Sequence, residues 1–221
     1  MQMPKYEIFD TLNINEKIYN FLKGRIVDLT YPPGHRVDMR QLKDELGVSQ
    51  TPIKDALFRL AGEGFVDINS RRGTYVREVN ERDVAEIYDI RTILETGAAE
   101  VLADRITDKQ LDEMERLYQE TLMKDIENNY RIFMERSKEF HRAIIRFTDN
   151  QRLLDLYEQL DAHMQIVRFR FGRQPLQKHS TTNQEHEKIL CAFKERDPLK
   201  AKELIKYHLQ TTKIAMLKAA T

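Results

Sequence analysis

The stretch that decides the fold runs from Arg36 to Val76, R-V-D-M-R-Q-L-K-D-E-L-G-V-S-Q-T-P-I-K-D-A-L-F-R-L-A-G-E-G-F-V-D-I-N-S-R-R-G-T-Y-V. Leu42, Leu46 and Val48 supply the apolar contacts of a first short helix and of the turn after it. Gly47 stands where the chain must reverse, a position that often needs a positive φ. Ser49 is placed to start a second helix as its N-cap, and Pro52 falls in that helix's first turn, where a missing N–H costs little. Ile53, Ala56, Leu57 and Leu60 recur at helical spacing and make the buried face, leaving Gln50, Thr51, Lys54 and Asp55 on the open face near the helix start. After Gly62 and Gly64 the period changes. Phe65, Val66 and Ile68 read as one short strand and Thr74, Tyr75 and Val76 as another, joined by the tip Asn69-Ser70-Arg71-Arg72-Gly73. The pattern predicts a winged helix-turn-helix with a basic wing tip, a motif that sets the start of its second helix against base edges in a major groove.

Upstream, residues 1–10 read as a loose arm. Ile14, Ile18, Phe21, Leu22, Ile26 and Leu29 then mark an amphipathic helix that Asn13 or Asn15 could cap and that Tyr31-Pro32-Pro33-Gly34 ends. Asp38 caps the helix carrying Arg40. A winged helix-turn-helix domain is therefore expected over residues 8–77. Downstream, over residues 78–220, glycine becomes scarce and strand patterns vanish. Six helical periods follow, the first marked by Ile87, Ile90, Leu94, Ala98, Val101 and Leu102. Asn150 is placed to cap the fourth, Gly172 and Pro175 mark a break over residues 171–177, and Asp197-Pro198 starts the sixth. The expected fold class is mainly α: three helices with a β-hairpin wing, then an all-α antiparallel bundle.

Composition narrows the function only weakly. The 221 residues carry 36 basic and 36 acidic side chains, so net charge gives no reason to expect nucleic acid as a partner. Within residues 36–77 there are 8 basic against 6 acidic side chains, so any phosphate contacts must be focused. Cys191 is the one cysteine, which excludes an internal disulfide and fits a reducing cytoplasm. No apolar run approaches the ~20 residues of a membrane span, and no signal peptide is evident; a cytoplasmic protein without a membrane partner is expected.

These residues resemble the GntR family of bacterial transcription regulators, and the helical half resembles its FadR subgroup, with an FCD-type ligand-binding domain. The likeness rests on L-G-V-S-Q-T-P-I-K-D-A-L-F-R-L-A-G-E-G-F-V and R-R-G-T-Y-V in the first half. In the second it rests on R-T-I-L-E-T-G-A-A (91–99), F-H-R-A-I-I (140–145), D-N-Q-R-L-L (149–154) and E-H-E-K-I-L-C-A-F (185–193). It implies a homodimeric repressor or activator, a repressor by preference, that binds double-stranded operator DNA and senses a small metabolite in its helical domain. Carried onto this chain, the DNA-contacting positions are Arg40, Ser49, Gln50, Thr51 and Lys54, with Ser70, Arg71, Arg72 and Gly73 at the wing. The family commonly has arginine where this chain has Gln50 and Lys54. Glutamine prefers adenine N6 and N7, whereas arginine grips guanine O6 and N7, so an altered operator base is expected opposite Gln50.

The resemblance also implies a divalent metal, Zn or Ni, held by His141, His186 and His208. The family's aspartate, four residues before the first histidine, is Ser137 here. Either the three histidines hold a metal completed by water or effector, or they bind an anionic effector directly. Arg91 matches a cavity arginine able to pair an effector carboxylate, against the plainer reading of a salt bridge to Glu95; Arg146, Arg168 and Arg170 are further candidate cations. The implied effector is a small carboxylic acid. The alternative function is a metal-dependent hydrolase using the three-histidine centre. Nucleophilic hydrolysis has less support, because there is no G-x-S-x-G and Cys191 is expected on a helical apolar face.

Overall fold

The computed structural model describes residues 5–122, 130–171 and 177–220. The chain divides into two compact units, Met1–Val79 and Asn80–Thr221.

In the first unit, α1 (Lys5–Val27) is followed by β1 (Arg36–Val37), α2 (Met39–Leu46), α3 (Gln50–Gly62), β2 (Val66–Asn69) and β3 (Gly73–Val76). Helix α1 begins nine residues before the expected start, so residues 5–10 are not a loose arm and neither Asn13 nor Asn15 caps the helix. Residues 5–13 contain neither proline nor glycine, and nothing in them stops a helix. Asp38 caps α2 as expected, accepting from the backbone N–H groups of Arg40 (2.7 Å) and Gln41 (3.2 Å). Those two bonds, that from Gln41 foremost, hold its pKa below the usual carboxylate value. Gly47 ends α2 at φ 64°, ψ 28°, the left-handed conformation the turn needs. Ser49 occupies the N-cap position of α3 with extended backbone, but its hydroxyl makes no capping hydrogen bond, contrary to the expected cap.

The wing is one strand richer than the sequence pattern implied. The sheet order is β1-β3-β2, all antiparallel, with Arg36 opposite Tyr75 on one side of β3 and Asp67 opposite Tyr75 on the other. A two-residue strand has no period to read. Ile18, Leu22 and Ile26 of α1, Leu42 of α2, and Ile53, Ala56, Leu57 and Leu60 of α3 are buried with Phe65, Val66 and Val76. This apolar base fixes α3 while its opposite face stays in solvent.

The second unit contains α4 (Glu81–Arg105), α5 (Asp108–Thr121), α6 (Tyr130–Arg146), α7 (Gln151–Phe171), α8 (Gln177–Lys194) and α9 (Pro198–Ala220). Capping boxes start α4 (Asn80 with Asp83) and α5 (Thr107 with Gln110). Asn150 Oδ1 accepts from Leu153 N (3.1 Å), and Asp197 Oδ1 from Lys200 N (3.0 Å), the start signals expected for α7 and α9. Of the break expected over residues 171–177, Phe171 and Gln177 belong to α7 and α8, and residues 172–176 lie outside the described residues. Helices α4 and α9 run antiparallel, with Lys213 paired to Asp89 and Lys202 to Glu100, both at 2.6 Å. Their interface joins a continuous core that includes Ala98, Leu102, Met114, Phe140, Ile144, Ile189, Phe193, Ile205 and Leu209.

Two details depart from the apolar patterns. Ile90 and Val101, counted as inward in α4, are exposed with Ile93, while the buried face of that helix carries Arg91 and Glu95. Cys191 is exposed rather than part of the apolar face of α8, whose buried positions are Ile189, Leu190, Ala192 and Phe193.

Candidate functional site

Five helices of the second unit bring polar side chains to one buried centre. Helix α4 gives Arg91 and Glu95, α6 gives Ser137 and His141, and α8 gives Glu185 and His186; each of the first two pairs is four residues apart, so both members share a face. Helix α7 contributes Tyr157, Asp161 and Arg168, and α9 contributes His208 and Thr211. Residues 91, 95, 137, 141, 157, 161, 168, 186 and 208 are all buried.

The three histidines meet through the same ring atom. His141 Nε2 lies 3.1 Å from His186 Nε2 and 3.1 Å from His208 Nε2. Behind the rings, His141 Nδ1 donates to Glu95 Oε2 and His208 Nδ1 to Glu185 Oε2, each at 2.7 Å. Burial drives all three histidine pKa values down, with the Arg91 charge adding to the effect, and that of His208 falls to about 3. All three are therefore neutral at pH 7. A neutral imidazole has one N–H and one lone pair, so the Nδ1–H bonds turn the Nε2 lone pairs of His141 and His208 toward each other. His186 can supply one N–H to the centre, because its Nδ1 has no hydrogen-bond partner among the described residues, but it cannot reconcile the other two lone pairs. A cation between the Nε2 atoms resolves that conflict. Three convergent imidazoles, two braced by carboxylates, form a donor set suited to a divalent transition metal.

Glu95 organises the inner side of this centre. It accepts from Arg91 Nε, from His141 Nδ1 and from Tyr157 Oη, the last at 2.8 Å. Burial opposes the charge of Arg91, but Glu95 beside it more than offsets this and raises its pKa. Burial pushes the Tyr157 phenol well up, and the Glu95 charge adds to that, so Tyr157 stays a neutral donor. Burial also raises the pKa of Glu185, against the lowering effect of Thr211.

A cavity of about 110 Å³ opens beside the histidines. Its polar wall includes Arg91, Ser137, His141, Arg168, Glu185, His208 and Thr211, and its apolar wall includes Phe133, Met134 and Met216. Among the described residues the buried Arg91 Nη2 and Arg168 Nε have no hydrogen-bond partner. Arg168 lies 3.5 Å from Asp161 Oδ1, a loose ion pair, while Asp161 Oδ2 pairs with Lys138 at 3.0 Å.

The expected positions divide accordingly. His141, His186 and His208 come together, and Arg91 and Arg168 line the cavity. Ser137 lies on the cavity wall one turn before His141. Arg91 combines both readings given for it, the salt bridge to Glu95 and the place in the cavity wall. Arg146 does not reach the cavity. Five residues beyond His141 on α6 it points to another side of the helix, where it pairs with Glu113 at 2.7 Å and is 40% exposed. Arg170 is likewise exposed. Glu95, Glu185, Tyr157 and Asp161 were not singled out from the sequence. Glu95 was weighed only as a surface partner of Arg91, although its place one turn after Arg91 on an apolar helix was a usable signal.

In the first unit, Arg40, Ser49, Gln50, Thr51, Lys54, Ser70, Arg71 and Arg72 are exposed and Gly73 is half-buried. Asn69 Oδ1 accepts from the backbone of Arg71 (2.9 Å) and Arg72 (3.0 Å), and Tyr75 Oη donates to Arg72 O (2.9 Å), which shapes the wing tip. Gly73 turns the chain at φ 106°. Lys23, Arg25 and Arg59 are held in ion pairs with Glu63, Glu45 and Glu16. Among the described residues Arg36, Arg40, Lys54, Arg71 and Arg72 have no such pair. Arg36, not singled out from the sequence, lies beside Gly73 and Tyr75 at the wing base.

Comparison with known proteins agrees with this division. Residues 14–76 match the family described as bacterial regulatory proteins, gntR family, and residues 86–211 match the FCD domain. The HTH-type transcriptional regulator YdhC of Bacillus subtilis (strain 168) is 29% identical over 87% of this chain and 86% of its own length. The HTH-type transcriptional repressor RspR of Escherichia coli (strain K12) is 26% identical over 90% and 87%. Among solved structures, E. coli McbR/YncC superposes with a TM-score of 0.75 at 22% identity, covering 93% of this chain and 97% of that one. The Zn²⁺-bound FCD domain of TM0439 gives a TM-score of 0.52 at 22% identity, covering 64% and 96%.

Proposed function

The chain belongs to the gntR family of bacterial regulatory proteins, with an FCD domain in its second unit, and from that premise we propose that this DNA-binding transcriptional regulator is a repressor sensing a small carboxylic acid at a three-histidine divalent-metal centre. The observation that carries this reading is the convergence of three Nε2 atoms, those of His186 and His208 each 3.1 Å from that of His141, with the lone pairs of His141 and His208 directed inward. Zinc in the FCD domain of TM0439 supports it. His141, His186 and His208 would hold the metal. When bound, the metal supplies a positive charge to which a carboxylate oxygen can bind, and Arg91 and Arg168 bring unpartnered N–H groups to the same cavity. The donor set suits Zn²⁺ or Ni²⁺.

The hydrolase alternative is not supported: the family and its relatives are transcriptional regulators rather than enzymes. Glu95 and Glu185, the carboxylates nearest the histidines, are both engaged by imidazole N–H groups. At the other end, the unpaired cations Arg40 and Lys54, with Ser49, Gln50 and Thr51, form the operator-reading surface, and Ser70 to Gly73 follow the backbone at the wing. The exposed stripe Ile90, Ile93 and Val101 on α4 supports a homodimer, the form that matches a pseudo-palindromic operator. No helix among the described residues is long and apolar enough to cross a membrane.

Metal analysis of protein purified without nickel affinity, after addition of Zn²⁺ or Ni²⁺, tests the centre. One ion per chain is expected, lost on His141→Ala; absence of metal at any loading refutes it. A thermal-shift screen of small carboxylates with that metal tests the effector, since a ligand at a hundred times its Kd stabilises by about 2.7 kcal/mol.

A further inference from the structure

The charges around the cavity cancel before any metal enters. Arg91 is neutralised by Glu95, while Asp161 is shared between Arg168 and Lys138. Glu185, a further carboxylate on the wall, offsets the second of those two cations. The three imidazoles are neutral donors, and no carboxylate belongs to the convergent group. An anion approaching the metal-free cavity therefore meets no net positive charge; it meets Glu185 and the inward lone pairs of His141 and His208. His141, His186 and His208 would give a divalent ion three neutral ligands, leaving its double charge uncompensated and free to attract an anion from the cavity. Burying that charge uncompensated is costly. Each partner thus lacks what the other brings, while Arg91 Nη2 and Arg168 Nε stand ready for oxygens of the same anion.

We infer that metal and carboxylate bind to this cavity as a mutually dependent pair, each weak alone, so that the regulator responds to their coincidence. The inference rests on the metal-and-carboxylate reading above and adds the energetic linkage between the two. Linkage is reciprocal: the factor by which the anion tightens metal binding is the factor by which metal tightens anion binding. Ser137 is the position that controls this factor. It faces the cavity one helical turn from His141, and an aspartate there would bring a resident negative charge to the open side of the centre.

The test is a competition titration of Zn²⁺ against a chromogenic chelator, using the full chain in a non-coordinating buffer. It is run alone, with excess acetate, and with acetamide as the neutral isostere, against protein-free controls. Acetate should tighten Zn²⁺ binding by about tenfold or more, and acetamide should leave it unchanged. In Ser137→Asp, Zn²⁺ should bind more tightly without acetate, and acetate should add less than about twofold. The wild-type titration decides the matter even if that variant does not fold. Zn²⁺ binding that acetate shifts by less than about twofold in the wild type overturns the linkage and leaves the metal site standing. Failure of Zn²⁺ to bind under every condition overturns the metal site and the linkage with it.

Discussion

In the first unit Arg36, Arg40, Lys54, Arg71 and Arg72 are exposed and make no ion pair among the described residues; in the second, Arg91 and Arg168 are buried against Glu95 and Asp161. The same residue type serves opposite ends in the two places. Exposed cations keep their hydration until phosphate displaces it, so they cost the fold little and are free to be exchanged. Buried cations must be neutralised in the folded chain itself, so the arginines that line the cavity are also structural members. Function and stability should therefore separate cleanly in the first unit and be tied together in the second.

The largest expected effect is at the buried pair. Glu95→Gln removes the charge beside Arg91 while keeping side-chain volume, and leaves an uncompensated buried guanidinium. Breaking such a pair costs roughly 3–5 kcal/mol. Urea unfolding of the metal-free protein should register that loss. A change below about 1 kcal/mol would show that the second unit tolerates loose charges as the first does, and the contrast would fail.

The next effect is a pH dependence of the metal-free protein. His208 titrates at about 3 in the folded chain, well below the usual histidine value, and burial lowers His141 and His186 as well. Between pH 6.5 and 3 the unfolded chain thus binds protons that the folded chain excludes. Stability is fully present above about pH 6.5 and is lost as pH falls toward 3. The loss approaches 1.4 kcal/mol per pH unit for each histidine excluded from protonation. Unfolding free energies measured from pH 7 to 5 should fall with pH, and His208→Gln should flatten the slope. An unchanged slope in that variant would mean the histidine is not held neutral.

How much of this was legible in the sequence follows the same contrast. The first unit could be read residue by residue, because the left-handed turn at Gly47, the apolar spacing of α3 and the basic wing tip are local signals. Its errors were local too: β1 is too short to show a period, α1 extends upstream for want of a stop, and Ser49 lacks the side-chain bond assigned to it. The second unit gave up its helices but only part of its centre. The histidines were found by resemblance, whereas Glu185, Tyr157 and Asp161 became meaningful only once α6 to α9 were packed together. In α4 the apolar count misled, since Ile90 and Val101 lie outside and Arg91 and Glu95 inside. A polar pair at i and i+4 on a buried face is the signature of an internal site, and hydrophobic periodicity is blind to it.

The smallest effects belong to the exposed surface, where they should appear in DNA binding without touching the fold. Gln50→Arg is expected to favour guanine over adenine at one operator position by about 1–3 kcal/mol, read by binding to a library of single-base operator variants. Arg71→Ala and Arg72→Ala should leave base preference unchanged and weaken binding to all sequences alike. Each lost phosphate contact should reduce the slope of log affinity against log salt by about 1. Unfolding free energies of all three variants should stay within about 0.5 kcal/mol of the wild type, as surface changes do. A wing variant that altered base preference would make Arg71 or Arg72 a reader rather than a positioner. A variant that lost several kcal/mol of stability would show that its side chain bears on the fold, and the separation of function from stability in this unit would not hold.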